Sequence, residues 1–539
     1  MATPASFPDS ARDAQDLPNG QTKEAYEQGH DADGKTAEES FSTDVEKGVD
    51  GQTHSTHTDE GTLSDAAPAT QERDPNIVDW DGPDDPTNPQ NWPAKRKWGI
   101  IAALGAVTFI TPLASSCFAP GVPQVLREFN ETSNAMASFV VSVYILGFAI
   151  GPLILAPMSE LYGRLLLYHI SNALFVVFMI ACAVSNSMGM LVAFRFFAGC
   201  VGSAPLTLGG GTIADMFPPQ QRAGAMAIWS MGPLLGPVIG PVCFGFLVDH
   251  MSWRWVFWIL TILGGVAGLV FFFVGHETFH PTILARKTAA LRKETGNENL
   301  RSKLAQDLPP REIFIRAIVR PMKMLFRSPI VGLMSTYIAI NYGILYLFFT
   351  TVAFVFEGQY QFSSSAVGLS YLGVGIGMIV GMVALGILSD KFIIKKQAKG
   401  NVKPEHRLPL FLTLPGAIAL PIGMFVYGWT TYYKVHWIVP IIFTSLIGLG
   451  NLTAMMTIQT YLVDAFTIHA ASAIAANTVL RSIFGAFIPL SGLSLYDALG
   501  LGWGNSLLGF IAVAFIPVPV FFRYYGERVR TNPKLQVQF

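Results

Sequence analysis

Arg195 is the charged residue whose sequence surroundings most restrict its chemistry. It lies about five residues into an apolar run that carries no other charge before Asp215. A guanidinium keeps its proton in proteins, and at the centre of a bilayer it costs about 2.5–3.5 kcal/mol. We therefore expect Arg195 either to face a bundle interior or wet cavity, or to snorkel to the nearer interface and bond a helix end.

Asp215 ends the same run, directly after Gly209-Gly210-Gly211-Thr212-Ile213-Ala214. Coupling to protons requires a group whose charge changes between states. Asp215 is the best candidate for this, and its alternative is an ordinary ion pair at a helix end. Arg195 and Asp215 are thus the candidate residues for proton coupling.

Glu160 and Arg164 stand four residues apart across a tight turn that contains Gly163. Asp390 occupies a similar place after a later apolar run, in Ser389-Asp390-Lys391-Phe392. We expect these residues to pair with neighbouring helix ends and to act as a gate between two states. The alternative is a local ion pair, which contributes only about 0–1 kcal/mol when exposed.

Glycine and proline each recur at every fourth position between residues 232 and 241. On a helix the two sets form adjacent stripes. Interior prolines cost about 3 kcal/mol in a water-exposed helix, but membrane neighbours satisfy the carbonyls they free. The bare glycine stripe favours close approach of a second helix, with or without a further role. The motif comprises Gly232, Pro233, Gly236, Pro237, Gly240 and Pro241.

Several polar and aromatic side chains fall within apolar runs, where they could line a pocket for apolar or amphipathic ligands. Each could equally form an interhelical hydrogen bond. The candidates are Ser115, Ser116, Asn341, Tyr342, Tyr346 and Gln459. The sequence has no phosphate-binding glycine loop, no His/Cys cluster with metal spacing and no catalytic constellation. We therefore expect no enzyme, cofactor, metal or nucleic-acid partner.

The elements that must position these residues are membrane spans. The chain is 51% hydrophobic and only 14% charged, which is too apolar for a water-soluble protein. Twelve apolar runs approach the roughly 20 residues needed to cross a bilayer. They are predicted at 98–119, 136–157, 166–185, 190–211, 223–247, 254–275, 329–352, 366–388, 408–428, 437–463, 470–494 and 505–525.

The remaining segments are polar. Residues 1–93 hold 21 Asp and Glu but 5 Lys and Arg, and they are predicted to be a disordered acidic tail. Residues 276–328 form a charged central loop, and 526–539 form a second tail. Basic residues concentrate on one set of loops, so the positive-inside rule puts both termini in the cytoplasm. Asn130 then falls outside as a candidate glycosylation site.

Two short patterns recur at corresponding places. Leu247-Val248-Asp249 precedes Trp255, and Leu495-Tyr496-Asp497 precedes Trp503, with an Asp-to-Trp spacing of six in both. Together with the loop pair at 159–164 and 389–392, they indicate a duplicated unit of six helices. We expect an all-α membrane protein with bundles at 94–275 and 329–525 and a binding site between them.

At these residues the chain resembles the major facilitator superfamily, and within it the fungal twelve-helix drug:proton antiporters of the fluconazole-resistance and polyamine-exporter branch. Residues 157–164 match the family's second-to-third-loop motif, although Leu165 replaces a usual basic residue. Arg195, Gly199 and Gly202 match a fourth-helix motif that the family links to proton coupling. Residues 232–241 match the fifth-helix motif of exporters.

The resemblance implies a monomeric exporter that exchanges protons for small amphipathic compounds, such as drugs, toxins or secondary metabolites, across the lipid bilayer. It implies the plasma membrane, with the vacuolar membrane as the alternative. Proton-coupled uptake, polyamine transport and a non-transporting sensor are the competing functions. The substrate is not identified by the sequence.

Overall fold

The computed structural model describes residues 76–539 except 219–220, 306–308, 398–402 and 537–539. In this part of the chain, 11 helical stretches are long and apolar enough to cross a membrane. The last, Ala470–Thr531, has 62 residues, or about 90 Å of helix against a hydrocarbon core of about 30 Å. Its backbone breaks at Gly500 (φ 72°, ψ 167°). This stretch therefore crosses twice, and the described residues make twelve crossings.

The helices begin and end close to the predicted runs. In chain order they are α1 (Ala94–Ser116), α2 (Val122–Phe129), α3 (Asn134–Tyr162), α4 (Arg164–Ala183), α5 (Met188–Gly202), α6 (Ala204–Met216), α7 (Arg222–His250), α8 (Arg254–Val274), α9 (His280–Thr295), α10 (Pro310–Arg327), α11 (Pro329–Tyr360), α12 (Ser364–Ser370), α13 (Leu372–Gln397), α14 (Leu410–Tyr432), α15 (Ile438–Phe466), α16 (Ala470–Phe487), α17 (Gly492–Phe515) and α18 (Pro517–Thr531).

The spans form two pseudo-symmetric bundles of six. Spans 1–6, the first half, are α1, α3, α4, α5 with α6, α7, and α8. Spans 7–12, the second half, are α11, α12 with α13, α14, α15, α16 with the start of α17, and the rest of α17 with α18. Span 1 packs on span 5, span 2 on 4, and span 3 on 6, and the same pairings recur as 7 on 11, 8 on 10, and 9 on 12. The predicted fold class is confirmed.

Local sequence explains where several helices begin. The Ser133 hydroxyl accepts a hydrogen bond from the Met136 N–H at the start of α3, and Ser187 caps α5 in the same way. Such N-caps satisfy backbone donors that the first helical turn leaves free. Gly163 joins α3 to α4 at φ 94°, a backbone conformation that residues with a Cβ rarely adopt.

The halves meet along two seams, one between spans 2 and 11 and one between spans 5 and 8. We call the end of the spans that carries Arg164, Arg222, Arg407 and the central segment 276–328 the basic end. The other end is the opposite end. At the basic end, α10 of the central segment packs against both α3 of the first half and α16 of the second.

Residues 76–93 correct the predicted disordered tail at its end. Ile77–Val78 (β1) pairs in parallel with Arg301–Ser302 (β2) of the central segment. Lys287 Nζ donates to Asp81 at 2.6 Å and contacts Asp85 at 3.4 Å. We call this the N-terminal clip. Local sequence patterns do not indicate it, because its partners lie more than 200 residues apart. The rest of the predicted tail, residues 1–75, lies outside the described residues.

Candidate functional site

Arg195 lies inside the first half with no exposed surface. Its Nη2 donates to the carbonyls of Ser115 at 3.2 Å and of Ala114 and Val141 at 3.4 Å. The guanidinium also faces the Tyr144 ring at 5.5 Å. It therefore faces the bundle and does not snorkel. Because it binds spans 1 and 2 through carbonyls, it ties span 4 to the part of span 1 that follows Pro112.

The glycine stripe of span 5 packs directly on span 1. A Cβ at Gly236 would lie 2.8 Å from the Leu113 nitrogen, and one at Gly232 would lie 3.0 Å from the Phe109 nitrogen. Gly240 meets Leu113 and Cys117 in the same way. The stripe therefore lies within the first half and not between the halves. Any side chain here would push span 1 away.

The proline stripe of span 5 has a specific partner. Pro241 has no N–H, so the Pro237 carbonyl lacks its usual donor one turn later. The Ser116 hydroxyl donates to that carbonyl at 2.7 Å. This side chain, predicted to line a cavity, is fully buried and satisfies a backbone carbonyl of span 5 instead. Pro233 lies one turn earlier on the same stripe.

At the basic end of the first half, Arg164 pairs with Asp215 at 2.6 Å. Thr278 Oγ1 lies 3.3 Å from the same carboxylate. The Glu277 carboxylate accepts the backbone N–H of Arg164 at 3.1 Å and of Leu165 at 3.2 Å. Spans 3, 4 and 6 are therefore joined at this end. The Glu160 side chain is exposed.

The turn salt bridge considered for Glu160 and Arg164 is not among the ion pairs of the described residues. Arg164 pairs with Asp215 of span 4 instead, and the backbone at Gly163 has a φ of 94°. A Cβ at Gly163 would also meet the Glu277 carboxylate. Glycine is therefore required here for two reasons.

The second half repeats this arrangement at its basic end. Arg407, just before span 9, pairs with Asp464 near the end of span 10 at 2.6 Å, as Arg164 at the start of span 3 pairs with Asp215 at the end of span 4. Arg530 contacts Glu405 at 3.3 Å. Asp390 is the residue predicted for this gate, and its side chain lies outside the described residues.

Polar contacts at the opposite end cross between the halves. Asn134 Nδ2 donates to Asp497 at 2.6 Å. The Ser365 hydroxyl donates to Asp249 at 2.6 Å. These two aspartates are the ones in the repeated sequence pattern, and each reaches the first turn of a span in the other half. We call the two contacts the paired latches.

Close backbone packing accompanies the paired latches. A Cβ at Gly368 would lie 2.5 Å from the Pro241 carbonyl oxygen and 3.2 Å from the Gly245 Cα. Arg127 and Glu357, both exposed, also approach each other across the halves at 3.7 Å. The opposite end of the described structure is therefore tightly closed between spans 5 and 8.

Two hydrogen bonds join the halves at mid-depth. The Ser115 and Tyr346 hydroxyls lie 3.1 Å apart and join spans 1 and 7. The Ser142 hydroxyl donates to the Ala486 carbonyl at 2.8 Å and joins spans 2 and 11. The Tyr342 ring lies tilted by 47° against the Tyr346 ring, with ring centroids 4.8 Å apart. Among the described residues, no hydrogen bond or ion pair between the halves lies nearer the basic end than these.

The remaining predicted residues are dispersed. The Asn341 carbonyl accepts a hydrogen bond from Asn451 Nδ2 at 2.8 Å, joining spans 7 and 10. Gln459 is half-buried in span 10. Asn130 is exposed and in the left-handed conformation at the end of α2, on the opposite end.

Arg481 is a second arginine within an apolar run and is not one of the predicted site residues. It lies in span 11 with its guanidinium 5.1 Å from the centre of the Tyr342 ring and its Nη1 3.4 Å from the Met455 sulfur. Its side chain is partly exposed. Unlike Arg195, it borders the seam between the halves. Its charge within an apolar run was the available signal.

Twelve crossings in two pseudo-symmetric bundles, with polar residues along the seams, define a secondary membrane transporter. A family model described as Major Facilitator Superfamily matches residues 104–489. The chain belongs to this superfamily and is a multi-pass membrane transporter, not an enzyme.

Fungal relatives support this assignment. The chain is 55% identical over 478 residues to the MFS-type transporter penM of Penicillium rubens, covering 88% of this chain and 94% of the relative. It is 54% identical over 474 residues to the efflux pump radE of Floropilus chiversii, covering 87% and 88%.

Solved structures show the same fold. A bacterial homologue of the human lysosomal transporter Spinster, in an inward-facing unoccupied conformation, aligns with a TM-score of 0.59 and 13% identity over 83% of this chain and 100% of that chain. A partially occluded inward-open form of the E. coli xylose transporter XylE aligns with a TM-score of 0.59 and 16% identity over 80% and 98%.

Proposed function

We propose that this protein exports small amphipathic compounds in exchange for protons by alternating access. The observation that carries the proposal is that hydrogen bonds and ion pairs between the halves are confined to mid-depth and the opposite end of the described structure. Halves joined at one end can rock about the seam. The name of the efflux pump that is 54% identical favours export over uptake.

The proposed coupling uses Arg195 and Asp215, which lie on the same span. Protonation of Asp215 neutralises the partner of Arg164 and frees spans 3 and 4 to separate at the basic end. Arg195 keeps its charge and holds span 4 against spans 1 and 2. Motion begun at Asp215 is thereby transmitted to the region of span 1 that faces the seam.

The proposed membrane is the plasma membrane, with the basic end in the cytoplasm as the positive-inside rule requires. In an inside-negative cell each proton that enters releases about 2.3 kcal/mol per 100 mV. This energy drives the solute outward. The assignment fits the drug:proton antiporter branch that the motifs resemble.

The test begins with transporter-deficient yeast that express the chain and are grown on a compound panel. A compound to which the chain gives resistance is then offered to acid-loaded everted vesicles. Compound-dependent proton release supports exchange. Movement of compound with protons in the same direction indicates uptake, and absence of any flux for the whole panel indicates a sensor.

Arg195→Ala is the matched variant for this test. We expect it to abolish transport while its surface abundance stays normal. Arg286→Gln, an exposed change on α9, is the control. Wild-type flux in Arg195→Ala would reject the coupling role.

A further inference from the structure

Arg481 is a charged side chain on the seam without an acidic partner. No ion pair in the described structure includes it, and its Nε is buried without a hydrogen-bond partner. Its neighbours are the Tyr342 ring and the Met455 sulfur. A cation held in an apolar span in this way is costly. The site therefore lacks the negative charge that would offset it.

The face of α16 that carries Arg481 looks toward the other half. Gly485, one turn later on that face, would place a Cβ 2.9 Å from Tyr342 and 3.3 Å from Ile145 of span 2. The Ser142 contact with the Ala486 carbonyl lies beside it. Arg481 therefore lies on the basic-end side of the mid-depth closure, where the halves share no polar contact in the described structure.

A second polar side chain on this face also lacks partners. Asn477, one turn before Arg481, is fully buried, and neither its Nδ2 nor its Oδ1 has a hydrogen-bond partner. Buried amides are normally satisfied. One face of α16 thus presents an amide and a guanidinium that both retain free hydrogen-bonding capacity.

The side chains around Arg481 indicate the chemistry of the rest of a ligand. Tyr342 and Met455 are partly exposed, and Met456 follows on the same span. Thioether and aromatic side chains adapt to varied apolar shapes, whereas a guanidinium favours planar oxyanions. Both kinds of side chain meet at Arg481.

We propose that Arg481 binds the oxyanion of an amphipathic organic acid, a carboxylate or acidic enolate, whose apolar body lies against Tyr342 and Met455. This rests on the proposed transport function and names its substrate class. The ligand supplies the negative charge that Arg481 lacks, and its affinity depends on that charge.

The test compares two probes with one apolar body, 1-pyrenebutyrate and 1-pyrenebutanol. Equilibrium binding is measured for the full chain in nanodiscs, with empty nanodiscs subtracted. We expect wild type to prefer the acid about tenfold and Arg481→Gln to bind both probes equally. Arg481→Lys should keep part of the preference, and Arg286→Gln should match wild type.

Equal wild-type affinities, binding of neither probe, or an unchanged preference in Arg481→Gln would overturn the proposal. Monodisperse elution of Arg481→Gln shows that it is folded, and Arg481→Lys provides a second folded comparison. Transport is scored separately in proteoliposomes. Charge-selective binding without proton-driven movement would refute the exporter function and leave the anion site standing.

Discussion

The basic end and the opposite end of the spans differ in which helices their polar contacts join. At the basic end, Arg164–Asp215 and Arg407–Asp464 each join helices of one half. At the opposite end, Asn134–Asp497 and Ser365–Asp249 join one half to the other. We expect two roles from this difference: the first set holds the helices of one bundle together while its carboxylates are charged, and the second set favours closure of the opposite end.

The largest expected effect comes from separating the halves at the opposite end. Gly368→Leu places a side chain against the Pro241 carbonyl and Gly245. Overpacking of about 1–3 kcal/mol shifts the population about 5- to 150-fold toward opening there. Labelling of Ser142→Cys by an impermeant maleimide, in a chain whose exposed Cys243 is replaced by Ser, should rise, and export should fall. Gly386→Leu, with no atom within 4 Å of its Cβ, is the control. Unchanged labelling would contradict the account.

A smaller effect distinguishes the two basic-end pairs. The side chains of Arg164 and Asp215 are 14% and 15% exposed, so Asp215→Asn should lower the free energy of unfolding by about 3 kcal/mol. Arg407 and Asp464 are 28% and 36% exposed, so Asp464→Asn should cost about 1 kcal/mol or less. Thermal unfolding in detergent measures both, with exposed Glu160→Gln as the control. Equal losses would show that burial does not distinguish the pairs.

The paired latches should act weakly and equally. Each is an exposed hydrogen bond worth about 0.5–1 kcal/mol, so Asp249→Ala and Asp497→Ala should each raise labelling at position 142 about two- to fivefold. The double variant should multiply the single effects. Lys403→Ala, which removes an exposed contact within one half, should leave labelling unchanged. Different effects from the two aspartates would refute their equivalence.

The smallest effect at neutral pH concerns the N-terminal clip. Burial opposes ionisation of Asp85, but hydrogen bonds from Thr87 and Asp81 and the Lys287 charge outweigh it and lower the pKa of Asp85 well below its usual value. Because the pKa of Asp85 is lower in the folded state than in the unfolded state, its ionisation stabilises the folded clip at pH values above the unfolded pKa, near 3.9. This stabilisation is lost as the pH falls through the lowered pKa of the folded state.

The protection factor for amide exchange at Ile77–Val78, which is the intrinsic rate at each pH divided by the observed rate, should therefore be the same at pH 7 and pH 5 and fall only below about pH 4. Asp85→Asn should lower this protection factor at pH 7 and pH 5, while Asp84→Asn, at an exposed neighbour, should not. Loss of protection between pH 7 and pH 5 would contradict the assignment to Asp85.

Sequence periodicity predicted the twelve spans and the duplication because both depend on local composition. The glycines at 232, 236 and 240 predicted a close helix contact, but the pattern does not state that span 1 is the partner. The Asp249 and Asp497 repeats indicated symmetry but not that each aspartate reaches into the other half. Such pairings depend on how bundles pack in three dimensions.

Arg195 and Arg481 have the same sequence signal, a single arginine in an apolar run, and different surroundings. Backbone carbonyls from two other spans enclose the first, whereas a tyrosine and a methionine flank the second. The orientation of the backbone carbonyls that follow Pro112 and accept from Arg195 depends on tertiary packing. The sequence therefore identifies both arginines as candidates, but it does not predict that Arg195 lies inside the bundle and Arg481 on the seam.

The position of α10 has a mechanical consequence. This helix lies in the covalent linker between the bundles and touches both α3 and α16 at the basic end, so it acts as a spacer. When those bundle ends approach each other, α10 must slide sideways along the headgroup layer. Five of its 18 residues are Arg or Lys, so anionic lipids resist that displacement. The turnover rate should then depend on bilayer composition as well as on the gradient.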